Sequence, residues 1–177
     1  MVAGGLARRT TARALTAAAL LMALASILGL VEAAFPSPVP GARLGLANVA
    51  VVLALVLLGP ARALAVTLGR VAIVSLAAGT AGGPAFMLAV AGALAAWSAM
   101  CLVIHLLPSA TVVGISAVGG VAHVFSQLAV ASMLAGTTGV FAVGSISLLA
   151  GLLFGIATGF IAQLVISRLQ EFVHSGT

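Results

Sequence analysis

Six apolar runs, divided by short breaks rich in Gly, Pro or Arg, occupy nearly the whole of the 177-residue chain. About 20 consecutive apolar residues cross the hydrocarbon core of a bilayer as a helix, because lipid offers no partner to an unpaired backbone N–H or C=O. The breaks are too short to hold a soluble domain. Only 5% of the residues are charged, against about 25% in soluble proteins. The sequence therefore predicts an all-α integral membrane protein. Its expected parts are a leader over residues 1–13, a six-helix transmembrane domain over residues 14–167 and a polar tail over residues 168–177.

The runs are Ala14 to Val31, Leu44 to Leu58, Ala61 to Ala78, Ala85 to Leu107, Thr111 to Leu134 and Val140 to Ile166. The second is short for a crossing, which predicts a tilted helix or one that begins inside the bundle. The basic leader followed by an apolar run also fits a secretory signal peptide, but the further runs behind it favour a first membrane span. Most of the 21 Gly sit inside the runs, where they let helices approach closely.

Six crossings put both termini on one side. With that side cytoplasmic, Arg8, Arg9, Arg13, Arg62 and Arg168 lie inside and only Arg43 outside, as the positive-inside rule requires. The expected location is the cell membrane, multi-pass, with both termini cytoplasmic. Arg168, Glu171 and His174 then form a solvated inner end.

The chain has no Lys and no Asp, and these absences exclude much chemistry. A P-loop needs a Lys on the nucleotide phosphates, so ATP is not bound in that way. A magnesium-diphosphate enzyme holds its metal through carboxylates, yet Glu32 and Glu171 are expected on opposite sides of the membrane. The single Cys, Cys101, allows neither an intrachain disulfide nor a CxxC metal site, and is read as a small packing residue. No catalytic residue, metal or cofactor is expected. The pI near 11.9 reflects Arg spread over several loops, so a nucleic-acid partner is not expected.

Polar residues at membrane depth carry what chemistry remains. At about 1.5 Å rise per residue, Arg70 lies roughly 12 Å along the third run from Arg62, near mid-membrane. The same count puts His123 just past the middle of the fifth run, with Gln127 one turn nearer the outside. These two share a helical face, roughly continued by Ser116 and Gly120. Asn48 lies a turn and a half below Arg43, and Glu32 ends the first run. An Arg within a span costs several kcal/mol unless paired or hydrated, and is a functional hypothesis by default. Its guanidinium matches carboxylate or phosphate bidentately. The stretch EAAFPSPVPGARLGLAN, from Glu32 to Asn48, is read as a lid continuous with a half-buried helix. Glu32, Arg43, Asn48, Arg70, His123 and Gln127 are thus the candidate ligand-binding residues. The competing account has them satisfying one another across helices, and whether Glu32 meets ligand or neutralises Arg43 or Arg70 stays open. Trp97 is read as packing or lipid contact.

The run VEAAFPSPVPGARLGLANVAVVLALVLLGPARALAVTLGRVAIVSLAAGT, then PAFMLAVAGALAAWSAM and VGGVAHVFSQLAVASML, resembles the Gx transporter family over roughly residues 15–165. Members of that family were formerly labelled heptaprenyl diphosphate synthase component I, and are similar to the S-components of energy-coupling factor (ECF) vitamin transporters. The family pattern in the fifth span reads HN followed by GQ. His123 and Gln127 match it, while Val124 and Ser126 stand at the intervening places. The resemblance implies a six-helix S-component-like fold, an outward pocket beneath the first loop, and energy supplied by an ECF-type coupling protein and ATPases. It also implies docking on such a partner through small residues of the first helix, for which Ala14, Ala18, Ala19 and Ala23 are the candidates.

Together these readings predict a membrane-embedded substrate-binding subunit that captures a small anionic or zwitterionic molecule from outside. The alternatives are a non-catalytic membrane subunit of a prenyl diphosphate or quinone pathway, in which Arg70 and Arg43 meet diphosphate, and a structural subunit of a membrane redox assembly.

Overall fold

The computed structural model describes residues 2–34 and 45–175; the side chains of residues 2–11, 143 and 172–174 fall outside that description. Among the described residues the order is α1 (Val2–Ala34), α2 (Leu46–Leu58), α3 (Pro60–Ala77), α4 (Pro84–Leu106), α5 (Val112–Ala135) and α6 (Gly139–Ser175). Arg43, with most of the expected lid, lies outside the described residues.

Breaks between helices follow local chemistry. Pro60 and Pro84 open α3 and α4, where a missing N–H and a fixed φ suit the first turn. Thr111 caps α5 by accepting from the Gly114 N–H at 3.1 Å. Gly136 ends α5 at φ 64°, a left-handed conformation that closes a helix without Cβ strain. Helix α1 runs back through the basic leader, and α6 continues into the polar tail. Hydropathy carries no signal for either extension.

Five helical segments are long and apolar enough to cross a membrane: Ala12–Ala34, Pro60–Ala77, Pro84–Leu106, Val112–Ala135 and Gly144–Glu171. The chain is therefore a multi-pass membrane protein. With 13 residues, α2 is about 20 Å long at 1.5 Å per residue, well short of the roughly 30 Å core. Its environment explains how so apolar a helix can be so short. From Ala47 to Leu55 every residue but Asn48 is buried, so α2 packs on all sides against protein instead of meeting lipid. The long helices instead leave large apolar residues such as Leu20, Leu76 and Leu164 outward, as a lipid-facing surface does.

Helices α3, α4, α5, α6 and α2 contact one another in sequence as a ring, and α1 packs on α2 and α3. Glycine sets the closeness of these contacts. On α6, Gly151, Gly155 and Gly159 recur one turn apart and face α5. A Cβ on Gly155 would lie 2.8 Å from the Ser116 carbonyl oxygen, and one on Gly159 would lie 2.7 Å from the Val113 Cα. Backbone thus meets backbone along this pair, the packing that small residues four apart permit in membranes. Met22 of α1 similarly fills the space above Gly69 of α3.

Candidate functional site

All six helices meet around one cavity of about 460 Å³. The volume is within the range of small-molecule sites. The cavity sits at the end of the bundle formed by the C-terminal ends of α1, α3 and α5 and the N-terminal ends of α2, α4 and α6.

Of the candidate residues, Glu32, Asn48, Arg70, His123 and Gln127 all line it. They arrive from α1, α2, α3 and, for the last two, adjacent turns of α5. Sequence spacing had put them at a common depth, and the fold supplies a common space. Thr80, Ser75 and Thr158 add further polar groups, while Val71, Val74, Val124, Phe154, Ala85 and Ala89 form apolar wall. Glu32 is the acid among these lining residues and Arg70 and His123 the basic groups, so a guanidinium, a carboxylate, an imidazole and two amides converge there. Such a set can orient a small polar ligand by directed hydrogen bonds.

Glu32 has a defined structural partner. Its carboxylate accepts a hydrogen bond from the backbone N–H of Leu46, the first residue of α2. Gly45 precedes it at φ 76° and has no side chain to cap the helix, so a carboxylate from α1 satisfies the exposed N–H and faces the positive end of the α2 dipole. Sequence offers Glu32 only a ligand or an arginine as partner, because the Leu46 N–H lies fourteen residues away with no periodic spacing to link the two. Arg70 is half-buried, and its Nε is buried with no hydrogen bond of its own, while the side chain makes other polar interactions.

At the base of the cavity, the lining residue Thr158 and Ser116 beneath it are buried at 2% and 0% exposure, with their hydroxyls 3.0 Å apart. Thr158 donates to the Gly155 carbonyl at 3.1 Å, which leaves Ser116 to donate to Thr158. Ser116 therefore belongs to the floor, one turn below the lining that Gly120 begins. At the resemblance's two departures, Val124 packs where a Cβ of Gly151 would be, and Ser126 donates to the His123 carbonyl at 3.0 Å.

The four alanines of α1 do not form one face. Ala18 is buried and Ala14 half-buried, whereas Ala19 and Ala23 are exposed. Trp97, read as packing, also donates from Nε1 to the Pro60 carbonyl at 3.0 Å, tying α4 to the start of α3. Cys101 packs against the core as expected. Arg168 and Glu171 pair at 3.3 Å on the exposed end of α6. Among the described residues no group of three or more His, Cys, Asp or Glu comes together as a metal site.

The sequence model of one family, described as heptaprenyl diphosphate synthase component I, matches residues 21–165. The chain belongs to that family. The match runs from within α1 to within α6 and so takes in every described cavity residue. It agrees with the former label of the family that the sequence resembles. The description names one component of a synthase, not a complete enzyme. No curated protein and no solved structure matches the chain.

Proposed function

We propose that this chain is a membrane-embedded ligand-capturing subunit of the S-component kind, which takes a small anionic or zwitterionic molecule from outside the cell. The observation that carries this reading is the convergence of Glu32, Asn48, Arg70, His123 and Gln127 on one cavity. In this reading Arg70 clamps the ligand's anionic group, His123 and the two amides orient its polar edges, and Arg43 approaches from the lid. The five long helices and α2 make a six-helix membrane domain in the cell membrane with both termini cytoplasmic. The distribution of charge supports that orientation: Arg13, Arg62 and Arg168 lie at the end of the bundle opposite the cavity. Energy for release comes from partners, an ECF-type coupling protein and its ATPases, with the exposed Ala19 and Ala23 available for docking.

The test is native mass spectrometry of the detergent-purified chain. A small molecule should be retained by the wild type and lost from a folded Arg70→Ala variant. Unchanged occupancy in that variant overturns the clamp.

A second reading is favoured by the family description: a non-catalytic membrane subunit of a prenyl diphosphate synthase. Arg70 would then meet the diphosphate, and apolar helix surface the isoprenoid tail. The charge of the cavity weighs against it, because the Glu32 carboxylate shares the space with Arg70 and repels a multiply charged diphosphate more strongly than a zwitterion or a single anion. Co-purification separates the two, since recovery with a coupling protein and ATPases supports capture for transport and recovery with a soluble prenyl synthase supports the second reading.

A further inference from the structure

Helices α4 and α5 meet by exchanging one side chain for one glycine in each direction. Met100 of α4, fully buried, lies where a Cβ on Gly119 of α5 would be, with its Cγ and Sδ 2.8 and 2.9 Å from that point. One turn further along α5, the ring of His123 lies over Gly92 of α4. A Cβ on Gly92 would stand 2.8 Å from both Cε1 and Nε2 of the imidazole and 3.0 Å from Nδ1. Gly92 is buried and helical, so neither a turn nor a left-handed φ explains a glycine there. The contact with the ring does.

The two contacts differ in what they tolerate. A methionine has three side-chain torsions and can curl away from an added methyl. An imidazole is a rigid plane on two torsions and must move as a unit. His123 also lines the cavity, so the space open to a displaced ring is the cavity itself. Ala85 and Ala89 bring the same α4 surface up to the cavity with small side chains, leaving the ring room to lie back.

We infer that Gly92 is a positioning residue of the cavity: lacking a side chain, it lets the His123 imidazole rest on α4 and so sets how far that ring projects toward the ligand. A methyl group at position 92 drives the ring inward, narrows the cavity and spoils the alignment of His123 with Gln127 one turn away. The consequence for binding rests on the proposed ligand-capturing role. The position of the ring does not.

The experiment uses the full chain in detergent micelles with ¹⁵N-labelled histidine, His123→Gln supplying the assignment, and diethyl pyrocarbonate as the chemical probe of imidazole access. In Gly92→Ala the His123 ring signals shift and its carbethoxylation accelerates several-fold, while His105 is unchanged. Gly119→Ala, which disturbs the same helix pair through Met100, leaves His123 near its wild-type values. A folded Gly92→Ala with unchanged ring signals and reactivity overturns the inference, even if it is less stable. Should Gly92→Ala fail to fold, adding His123→Ala restores folding if the clash is with the ring, and failure to restore it overturns the inference. If the ring moves in Gly92→Ala while Arg70→Ala still retains the bound molecule, the capture reading falls and the positioning role stands.

Discussion

The Glu32 carboxylate, near the end of α1, accepts the backbone N–H of Leu46, the residue that opens α2. One helix thus caps the next across a connection of more than ten residues, and does so inside the wall of the cavity. The bond couples the C-terminal end of α1 to the helix that presents Asn48, so the cap and the polar lining of the site are one arrangement.

Replacing Glu32 by Ala should therefore weaken the fold as the loss of a helix cap does, by about 1–2 kcal/mol. Glu32→Gln keeps an acceptor oxygen for the Leu46 N–H and loses the charge that faces the α2 dipole, a contribution of about 0.3–1 kcal/mol. Thermal unfolding of both variants in one detergent checks the order. Equal losses for Ala and Gln would mean that the hydrogen bond contributes nothing beyond the charge.

Two glycine substitutions separate backbone contact from flexible contact. A Cβ on Gly120 meets the Gly151 carbonyl and lies 3.1 Å from the Gly155 Cα, atoms that move only if α5 and α6 separate. A Cβ on Gly69 meets the Met22 side chain, which can change rotamer. Gly120→Ala should cost about 1–3 kcal/mol, as overpacking does. Gly69→Ala should cost clearly less, because Met adapts to irregular space. Relative unfolding temperatures of the two variants read the difference directly.

Much of this arrangement is legible in the chain, for identifiable reasons. Apolar runs and the Gly-Pro pairs at Gly59-Pro60 and Gly83-Pro84 locate the boundaries of α2 to α5 within about two residues, since a hydrocarbon solvent leaves the backbone no other regular choice. Counting rise per residue brings Arg70, His123, Gln127 and Asn48 to one depth. Depth does not say which side chains share a space, and the Glu32–Leu46 bond has no periodic spacing to betray it. The reach of α1 back to Val2 and of α6 on to Ser175 falls in polar sequence where the hydropathy signal ends. The α5–α6 interface did leave a mark, the GLLFGIATG of residues 151–159, whose glycines four apart announce a close helix contact. Ser116 shares the face of His123, as spacing indicates, but lies one level too deep to reach the cavity.

Trp97 offers a test at the end of the bundle away from the cavity. Its indole donates to the Pro60 carbonyl at 3.0 Å, at the point where α2 gives way to α3. Trp97→Phe keeps most of the apolar contact and removes the donor. The expected loss is about 0.5–1.5 kcal/mol, the net worth of one hydrogen bond, with ligand occupancy of the remote cavity unchanged. A variant that unfolds at the wild-type temperature would show the bond to be idle.

Ser116 and Thr158 form the last case, because their bond has a fixed direction. Thr158 gives its one hydroxyl proton to the Gly155 carbonyl, so Ser116 must donate to Thr158. Thr158→Val removes the acceptor of the Ser116 hydroxyl and leaves that buried donor stranded, at about 1–3 kcal/mol. Ser116→Ala leaves Thr158 its carbonyl partner and should cost less. Once Ser116 is Ala, Thr158→Val strands nothing on α5, so the double variant should be less destabilised than the two single losses added together. A double-mutant cycle on unfolding free energies measures this coupling, which for contacting polar groups runs to about 0.5–3 kcal/mol. Strict additivity would mean that the floor of the cavity is held by the α5–α6 glycine contacts alone, with the hydroxyl pair a passenger.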